Sequence, residues 1–378
     1  MVVDLAESRE KIDAIDKQIV DLFEERMKVA TDVANYKRST GKKVFDPERE
    51  EQKLAALREM VDGEFNKVAV EDLFRQIMSI SRKHQYQELG PSVNDIPFEE
   101  VNSLEVNQDT KVVCFGEKGS FTEQAMVEVF GEDIIGIHKD SFREIMAEVA
   151  TGNAQYGVLP IENSTTGAVE GINDLLMEYN VTIVAEHTVK VEQNLLGVPG
   201  AKADGIKTVF SHPQGIMQCD TFLREHNVAT KHYSSTAAAA KKIAEDGDKN
   251  VGAIASKRAA DVFGLEVIKE SINDEKDNFT RFIIITNKKI FLSNAEKLCL
   301  CFEIKHQVGA LYNILANFYY NNLNLAKIES RPIENRKWEY RFFVDVEGNV
   351  NSPGVGNALA SLGAFTSKTS VLGNIAKL

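Results

Sequence analysis

Tryptophan occurs once and cysteine only four times in this chain of 378 residues. The cysteines, Cys114, Cys219, Cys299 and Cys301, fall inside apolar or helical segments and have neither metal-ligand nor disulfide-framework spacing. This excludes a disulfide-stapled secreted scaffold and points to the reducing cytoplasm. No stretch approaches the roughly 18 apolar residues of a membrane span. The first residues, Met1 to Lys11, lack the basic-then-apolar order of a signal peptide. Surplus positive charge is missing too. A net charge of −13 argues against nucleic acid as a partner, because phosphate binding needs basic surface. An anionic ligand would therefore require cations concentrated locally. There is also no dinucleotide fingerprint, P-loop, His-Glu-x-x-His pair or nucleophile elbow, and no internal repeat. No cofactor and no metal are expected.

What is present is a soluble globular composition, 43% apolar and 27% charged, on a chain long enough for two or three domains. Residues 87–110 are rich in proline, asparagine and acid, with six acidic and no basic residues, and read as a linker. Everything before them is helical in pattern. A long first helix, about Leu5 to Ser39, carries a seam at positions 9, 12, 16, 19, 23, 26, 30, 33 and 37, with coiled-coil-like 3–4 spacing. Ile12, Ile19, Phe23, Ala30 and Val33 lie on it, and so do Arg9, Arg26 and Lys37. Asp46-Pro47 offers a cap and first-turn proline for a second helix to about Val61, on which Glu50 shares a stripe with Leu54 and Leu57. A third helix, about Val68 to Gln85, carries Phe74 and Ile77 on a stripe continuing into Ser81 and Gln85.

Any one of these polar groups could snorkel or pair at the surface. Several cations with a carboxylate, a hydroxyl and an amide on inward faces of one small helical unit imply an anion site inside a bundle. Arg9 and Arg26 stand 17 residues apart, about 25 Å along one helix at ~1.5 Å per residue. If both serve one site, Arg9 comes from a second chain and the bundle is an intertwined dimer.

The set Arg9, Arg26, Lys37, Asp46, Arg49, Glu50, Ser81 and Gln85 resembles the active site of the all-helical chorismate mutases over nearly all of residues 5–86. The resemblance implies that Arg9 of a partner chain, Arg26 and Arg49 take the two substrate carboxylates. Lys37 and Gln85 would reach the ether oxygen, and Asp46, Glu50 and Ser81 would serve the hydroxyl side. The rearrangement is unimolecular and needs no nucleophile. It needs a compact conformer held in place and donors where charge builds on the breaking C–O bond.

From Lys111 the pattern becomes strand, polar turn, capped helix, repeated, the signature of a mostly parallel α/β sheet. Ser120 followed by Glu123 reads as a capping box. Taken singly, each Ser or Thr in these turns reads as a helix cap. As a set, Gly119-Ser120-Phe121, Glu162-Asn163-Ser164, Ser211-His212-Pro213-Gln214 with Gln218, and Thr280-Arg281-Phe282 resemble prephenate dehydratases over roughly 111–287. That implies two α/β lobes of the type II periplasmic-binding kind around a cleft. Thr280 would be the proton donor to the leaving hydroxyl, and Glu162, Asn163, Ser211 and Gln218 its neighbours around the substrate. Phe282 to Thr286 continues as an apolar run suited to a strand buried on both faces, with Thr280 at its mouth.

The last segment alternates in the order βαββαβ and resembles an ACT regulatory domain, with Gly309-Ala310-Leu311-Tyr312 and Glu329-Ser330-Arg331-Pro332 as its phenylalanine-binding motifs. The expectation is a multidomain chain: mutase bundle 1–86, linker 87–110, dehydratase domain 111–289 and ACT domain 290–378. It resembles the bifunctional chorismate mutase–prephenate dehydratase family, taking chorismate and prephenate as substrates and L-phenylalanine as effector, without nucleic acid or membrane, as a homodimer or higher even-numbered oligomer. Two alternatives stay open here: a non-catalytic amino-acid sensor, and an enzyme that uses arogenate in place of prephenate.

Overall fold

The computed structural model describes residues 4–42, 44–89, 98–304, 309–333, 336–363 and 365–378. Three helices come first: α1 (Leu5–Thr40), α2 (Pro47–Arg58) and α3 (Glu64–Leu89). Next are β1 (Glu99–Val101), β2 (Lys111–Phe115), α4 (Phe121–Phe130), β3 (Ile135–Lys139), α5 (Phe142–Ala150), β4 (Tyr156–Asn163), β5 (Gly167–Ala168), α6 (Ile172–Glu178) and β6 (Thr182–Lys190). Then follow β7 (Asn194–Gly197), β8 (Thr208–Ser211), α7 (Pro213–Met217), α8 (Asp220–Glu225), β9 (Ala229–His232), α9 (Thr236–Asp246), β10 (Val251–Ala255), α10 (Lys257–Phe263) and β11 (Glu266–Lys269). The chain closes with β12 (Phe279–Thr286), β13 (Ile290–Leu292), β14 (Lys297–Ile304), α11 (Ala310–Tyr320), β15 (Leu325–Pro332), β16 (Tyr340–Glu347), α12 (Pro353–Leu362) and β17 (Thr366–Lys377). These elements fall into two compact units, residues 1–97 with 300–371 and residues 98–299 with 372–378.

In the first unit α1 starts where the Asp4 carboxylate accepts from the Ala6 N–H at 2.9 Å and stops at Gly41, in the left-handed region at φ 68°. Its C-terminal half packs on α3, with Ala30 and Ala34 buried, small side chains that let the two backbones approach. The expected seam ran through Val33, but burial passes instead to Ala34, and Val33 remains exposed. The N-terminal half of the seam is also open, with Ile12 and Ile19 each 55% exposed. The reason is length: α1 has 36 residues, against 12 in α2 and 26 in α3, so its own chain cannot cover it. Beside the bundle, the strands order as β15-β16-β14-β17, and helices α11 and α12 pack against α3. The βαββαβ order read from the sequence is the order found from β14 to β17.

The second unit holds two sheets. One runs β17-β6-β12-β4-β2-β3 and the other β11-β7-β10-β8-β9. The pairings β2·β3, β2·β4, β8·β9 and β8·β10 are parallel, as the repeated strand–turn–helix pattern predicts. β12 departs from that pattern, lying antiparallel to both β4 and β6. The chain leaves the first sheet between β6 and β7 and returns between β11 and β12, so β12 runs back alongside the strand that left. In β12, residues Phe282 to Thr286 are all buried, while Thr280 at its mouth is half-buried. Glu99–Val101, inside the stretch read as linker, is a strand paired in parallel with β13.

Candidate active sites

Four of the polar positions singled out in the bundle converge between α1 and α3. Arg26 Nη1 donates to Ser81 Oγ, and Ser81 donates in turn to the Ile77 carbonyl at 2.9 Å. One turn beyond Ser81 on α3, Gln85 Oε1 accepts from Lys37 Nζ at 3.3 Å, and Lys37 Nζ also donates to the Val44 carbonyl at 2.6 Å. Ser81 and Gln85 are both buried, four residues apart on one face of α3. Burial pulls the Arg26 guanidinium and the Lys37 ammonium below their ordinary pKa values; Glu50 opposes this at Arg26, and Asp46 and Glu50 oppose it at Lys37.

Glu50 itself is held by a side chain that the sequence reading passed over. Arg82 Nη1 contacts both carboxylate oxygens of Glu50, and its guanidinium carbon lies 5.0 Å from the Phe45 ring centroid. Asp46 acts as the cap of α2, accepting from the Arg49 N–H at 3.0 Å, and both residues are exposed. Arg9 is exposed on the second turn of α1, far along the helix from this cluster.

At the mouth of β12 the register sets Thr280 opposite Asn163. Asn163 Nδ2 donates to Thr280 Oγ1 at 2.9 Å and to Asn278 Oδ1 at 2.8 Å. The other end of that amide is occupied, since Asn163 Oδ1 accepts from the N–H and hydroxyl of Thr165 at 3.0 and 2.6 Å. The amide orientation is thereby set, and Thr280 Oγ1 serves as acceptor to Asn163, which leaves its O–H to be donated elsewhere.

Glu162 was expected beside Thr280 and is not there. Strand alternation turns it to the opposite face, where it bonds to Arg281, its cross-strand partner. Arg281 also lies 3.4 Å from Glu186, which Lys297 contacts. Ser211 ends β8 in the other sheet, fully buried, its hydroxyl donating to the Ile254 carbonyl at 2.7 Å. His212 caps α7 through Nδ1, which accepts from the Gln214 N–H at 3.2 Å, so it serves as a loop residue.

Gln218 accepts from Gln193 Nε2 at 3.1 Å. Gln193 is a second residue missed from sequence. It is buried in the segment that crosses from one sheet to the other, and its own Oε1 has no partner among the described residues. The crossing segments connect these groups. The Ile272 N–H donates to Gln193 O at 2.8 Å, and the Val191 N–H to Asn278 O at 2.8 Å.

Gly119, φ 80°, sits where the lobes meet: its carbonyl accepts from the Ser256 hydroxyl at 2.7 Å, and a Cβ there would lie 2.8 Å from Ala259 Cα. Ser120 caps α4, accepting from the Glu123 N–H at 3.2 Å. The Glu123 carboxylate reaches back one residue further than a standard capping box, to the Gly119 N–H.

In the last segment Gly309, φ 75°, precedes α11, Ala310 is buried and Leu311 half-buried. Glu329 and Arg331 share a face of the edge strand β15, with Arg331 Nε 2.8 Å from Glu329 Oε1, while Ser330 faces the other way.

Residues 8–86 match the type II chorismate mutase family and residues 112–290 the prephenate dehydratase family. The bifunctional chorismate mutase/prephenate dehydratase of Pseudomonas aeruginosa is 32% identical over 98% of this chain and 96% of its own length. That of Aquifex aeolicus is 32% identical over 99% and 98%. The chain belongs to the bifunctional chorismate mutase/prephenate dehydratase family.

As a member of that family it carries both activities, rearranging chorismate to prephenate and converting prephenate to phenylpyruvate in phenylalanine biosynthesis. The sensor alternative therefore falls. Solved structures agree over 71% of the chain. The prephenate dehydratase of Arthrobacter aurescens, solved with L-Phe, has a TM-score of 0.65 at 30% identity and is 90% covered. The dehydratase of Staphylococcus aureus has 0.64 at 28% and is fully covered. A protein described as a quorum quenching acylase has 0.66 at 29%, with 98% of its length covered, so this fold also carries other chemistry.

Proposed function

We propose that the two reactions are carried by the two polar clusters just described. The mutase site lies between α1 and α3. Arg26 and Arg49, with Arg9 of a second copy, take the two carboxylates of chorismate through guanidinium forks. Lys37 and Gln85 donate to the ether oxygen as the C–O bond breaks, and Ser81, Asp46 and Glu50 attend the hydroxyl side. The meeting of Lys37 with Gln85 supports this most directly: the amide carbonyl accepts from the ammonium, so the amide N–H is left to donate beside it. The open N-terminal half of α1 supports the intertwined dimer, since it supplies an apolar face in need of a partner.

The dehydratase site lies between the two lobes at Thr280. The ring carboxylate leaves as carbon dioxide, and the electrons of its C–C bond pass into the ring, which becomes aromatic as the ring hydroxyl is expelled. A proton from Thr280 Oγ1 turns that hydroxyl into water, and solvent restores the threonine. Asn163 positions Thr280, and Ser211, Gln218 and Gln193 line the approach from the second lobe. Glu162, turned away from Thr280, acts by holding Arg281 and so β12.

The βαββαβ segment is an ACT regulatory domain that binds L-phenylalanine through Gly309, Ala310, Leu311, Glu329, Ser330 and Arg331. The four cysteines of the chain are buried, which suits a reducing compartment, and burial pushes Cys114 and Cys219 up to about 12, out of reach of thiolate chemistry.

One coupled assay tests the whole reading, with chorismate in, prephenate and phenylpyruvate measured, and phenylalanine added or withheld. Lys37→Ala should lower mutase turnover by at least about 100-fold, the scale of one lost transition-state donor, with prephenate consumption intact. Thr280→Ala should do the converse at about 100-fold or more. A Glu329→Ala/Arg331→Ala double variant should ignore phenylalanine. Either single variant impairing both steps equally would overturn the assignment of separate sites.

A further inference from the structure

Ser81, Arg82 and Gln85 are all buried on α3. Two of them hold Arg26 and Lys37, and the remaining one, Arg82, grips Glu50. Arg82 is only 8% exposed, which is uncommon for an arginine without a defined task. Its guanidinium is packed over Phe45, so the charge is fixed in place rather than swinging in solvent.

The charges acting on Arg26 and Lys37 bear on that task. Glu50 acts electrostatically on both Arg26 and Lys37, and Asp46 acts on Lys37. Left unpaired, Glu50 would offset part of the attraction that Arg26, Lys37 and the other arginines placed at this site hold for a dianionic substrate. An unpaired Glu50 would also compete with the substrate carboxylates for the same guanidinium and ammonium. Arg82 engages the Glu50 carboxylate from the α3 side, which offsets that charge and occupies the carboxylate.

We propose that Arg82 is a positioning residue of the mutase site, which neutralises Glu50 and so leaves Arg26 and Lys37 available to the substrate. This rests on the placement of the mutase site at Arg26, Lys37 and Glu50. The effect of Arg82 is exerted mainly on binding: a neutralised Glu50 raises the attraction for substrate and transition state alike, which governs KM more than kcat.

The test is mutase kinetics with chorismate in the full-length protein, using dehydratase turnover with prephenate as the check on folding. Arg82→Gln keeps a hydrogen-bond donor to Glu50 and removes the charge, and it should raise KM about tenfold or more while kcat falls less. Arg82→Met should do the same, and Arg82→Lys should stay within about threefold of the parent. Adding Glu50→Gln to Arg82→Met should lower KM relative to Arg82→Met, because the carboxylate to be neutralised has gone, while kcat falls with the loss of Glu50 from the hydroxyl side. An unchanged KM in Arg82→Gln, or strictly additive effects in the double variant, overturns the role of Arg82. Arg26→Ala separates this failure from that of the site itself. If mutase turnover survives Arg26→Ala, the site is misplaced. If it is abolished while Arg82→Gln binds normally, only the inference about Arg82 falls.

Discussion

At the scale of single residues, each proposed catalytic group is set by a neighbour that uses up its alternatives. Thr280 is an ordinary hydroxyl, and what makes it a directed donor is Asn163, whose amide N–H claims its lone pair. Asn163→Asp is the sharpest probe of this, since it preserves shape while replacing that donor with an acceptor. The Thr280 O–H would then turn toward the carboxylate and away from the substrate. Dehydratase kcat should fall about 100-fold or more with mutase turnover untouched, and a variant with full dehydratase turnover would remove Asn163 from the mechanism. Lys37 carries a pH signature. Burial lowers its ammonium pKa against the opposing pull of Asp46 and Glu50. The catalytic form is the charged one, so mutase turnover should decline on the alkaline side at a pH below the ordinary lysine value of about 10.4. In Lys37→Arg, whose guanidinium stays charged, that limb should vanish from the profile even if the plateau drops.

At the scale of elements, much was legible because helix caps and buried runs are local signals. Ser120 caps α4 as its capping-box pattern predicts, and Ser235 and Ser256 cap α9 and α10 in the same way. The cations on the α1 seam were legible because a charge on an inward stripe violates the pattern around it. Three things were not. Glu162 reads as part of a polar turn and Thr280 as the mouth of a strand, yet both lie within paired strands, and only the β4·β12 register shows that they face opposite ways. Arg82 was invisible because it lies next to Ser81 rather than on the stripe being counted, and its burial depends on α2 coming across α3. Gln193 sits in a crossing segment without periodicity. The α1 seam itself carries a prediction. Its exposed half should be buried by a second copy, so Ile12→Glu with Ile19→Glu should convert a dimer to a monomer in sedimentation velocity. Mutase turnover should fall with it, because Arg9 is then lost from the site, while prephenate turnover persists. A parent protein that sediments as a monomer would refute the intertwined arrangement directly.

At the scale of the whole molecule, the chain does not hand over cleanly from one function to the next. Residues 372–378 belong to the same compact unit as the dehydratase residues, although they end the βαββαβ segment in sequence. There the end of β17 pairs in parallel with β6, Ala376 opposite Ala185, and the Leu378 N–H donates to the Glu186 carbonyl at 2.9 Å. Asn374 Nδ2 donates to the Lys297 carbonyl at 2.9 Å, and Lys297 in turn contacts Glu186, the residue that also faces Arg281 on β12. The last strand thus buttresses the strand that carries Thr280, one place removed in the sheet. The approach is close enough that a Cβ on Gly373 would lie 1.9 Å from the Ile183 carbonyl oxygen, so no side chain fits without moving β17 off β6. Removing residues 372–378 should therefore lower the thermal midpoint of the dehydratase unit and its prephenate turnover, while chorismate rearrangement continues near its parent rate. Gly373→Ala should reproduce the effect in weaker form, by about 1–3 kcal/mol as for other overpacked sites. Calorimetry with both activities measured on the same samples decides the matter: a shortened chain that loses only its response to phenylalanine would assign this strand to regulation alone.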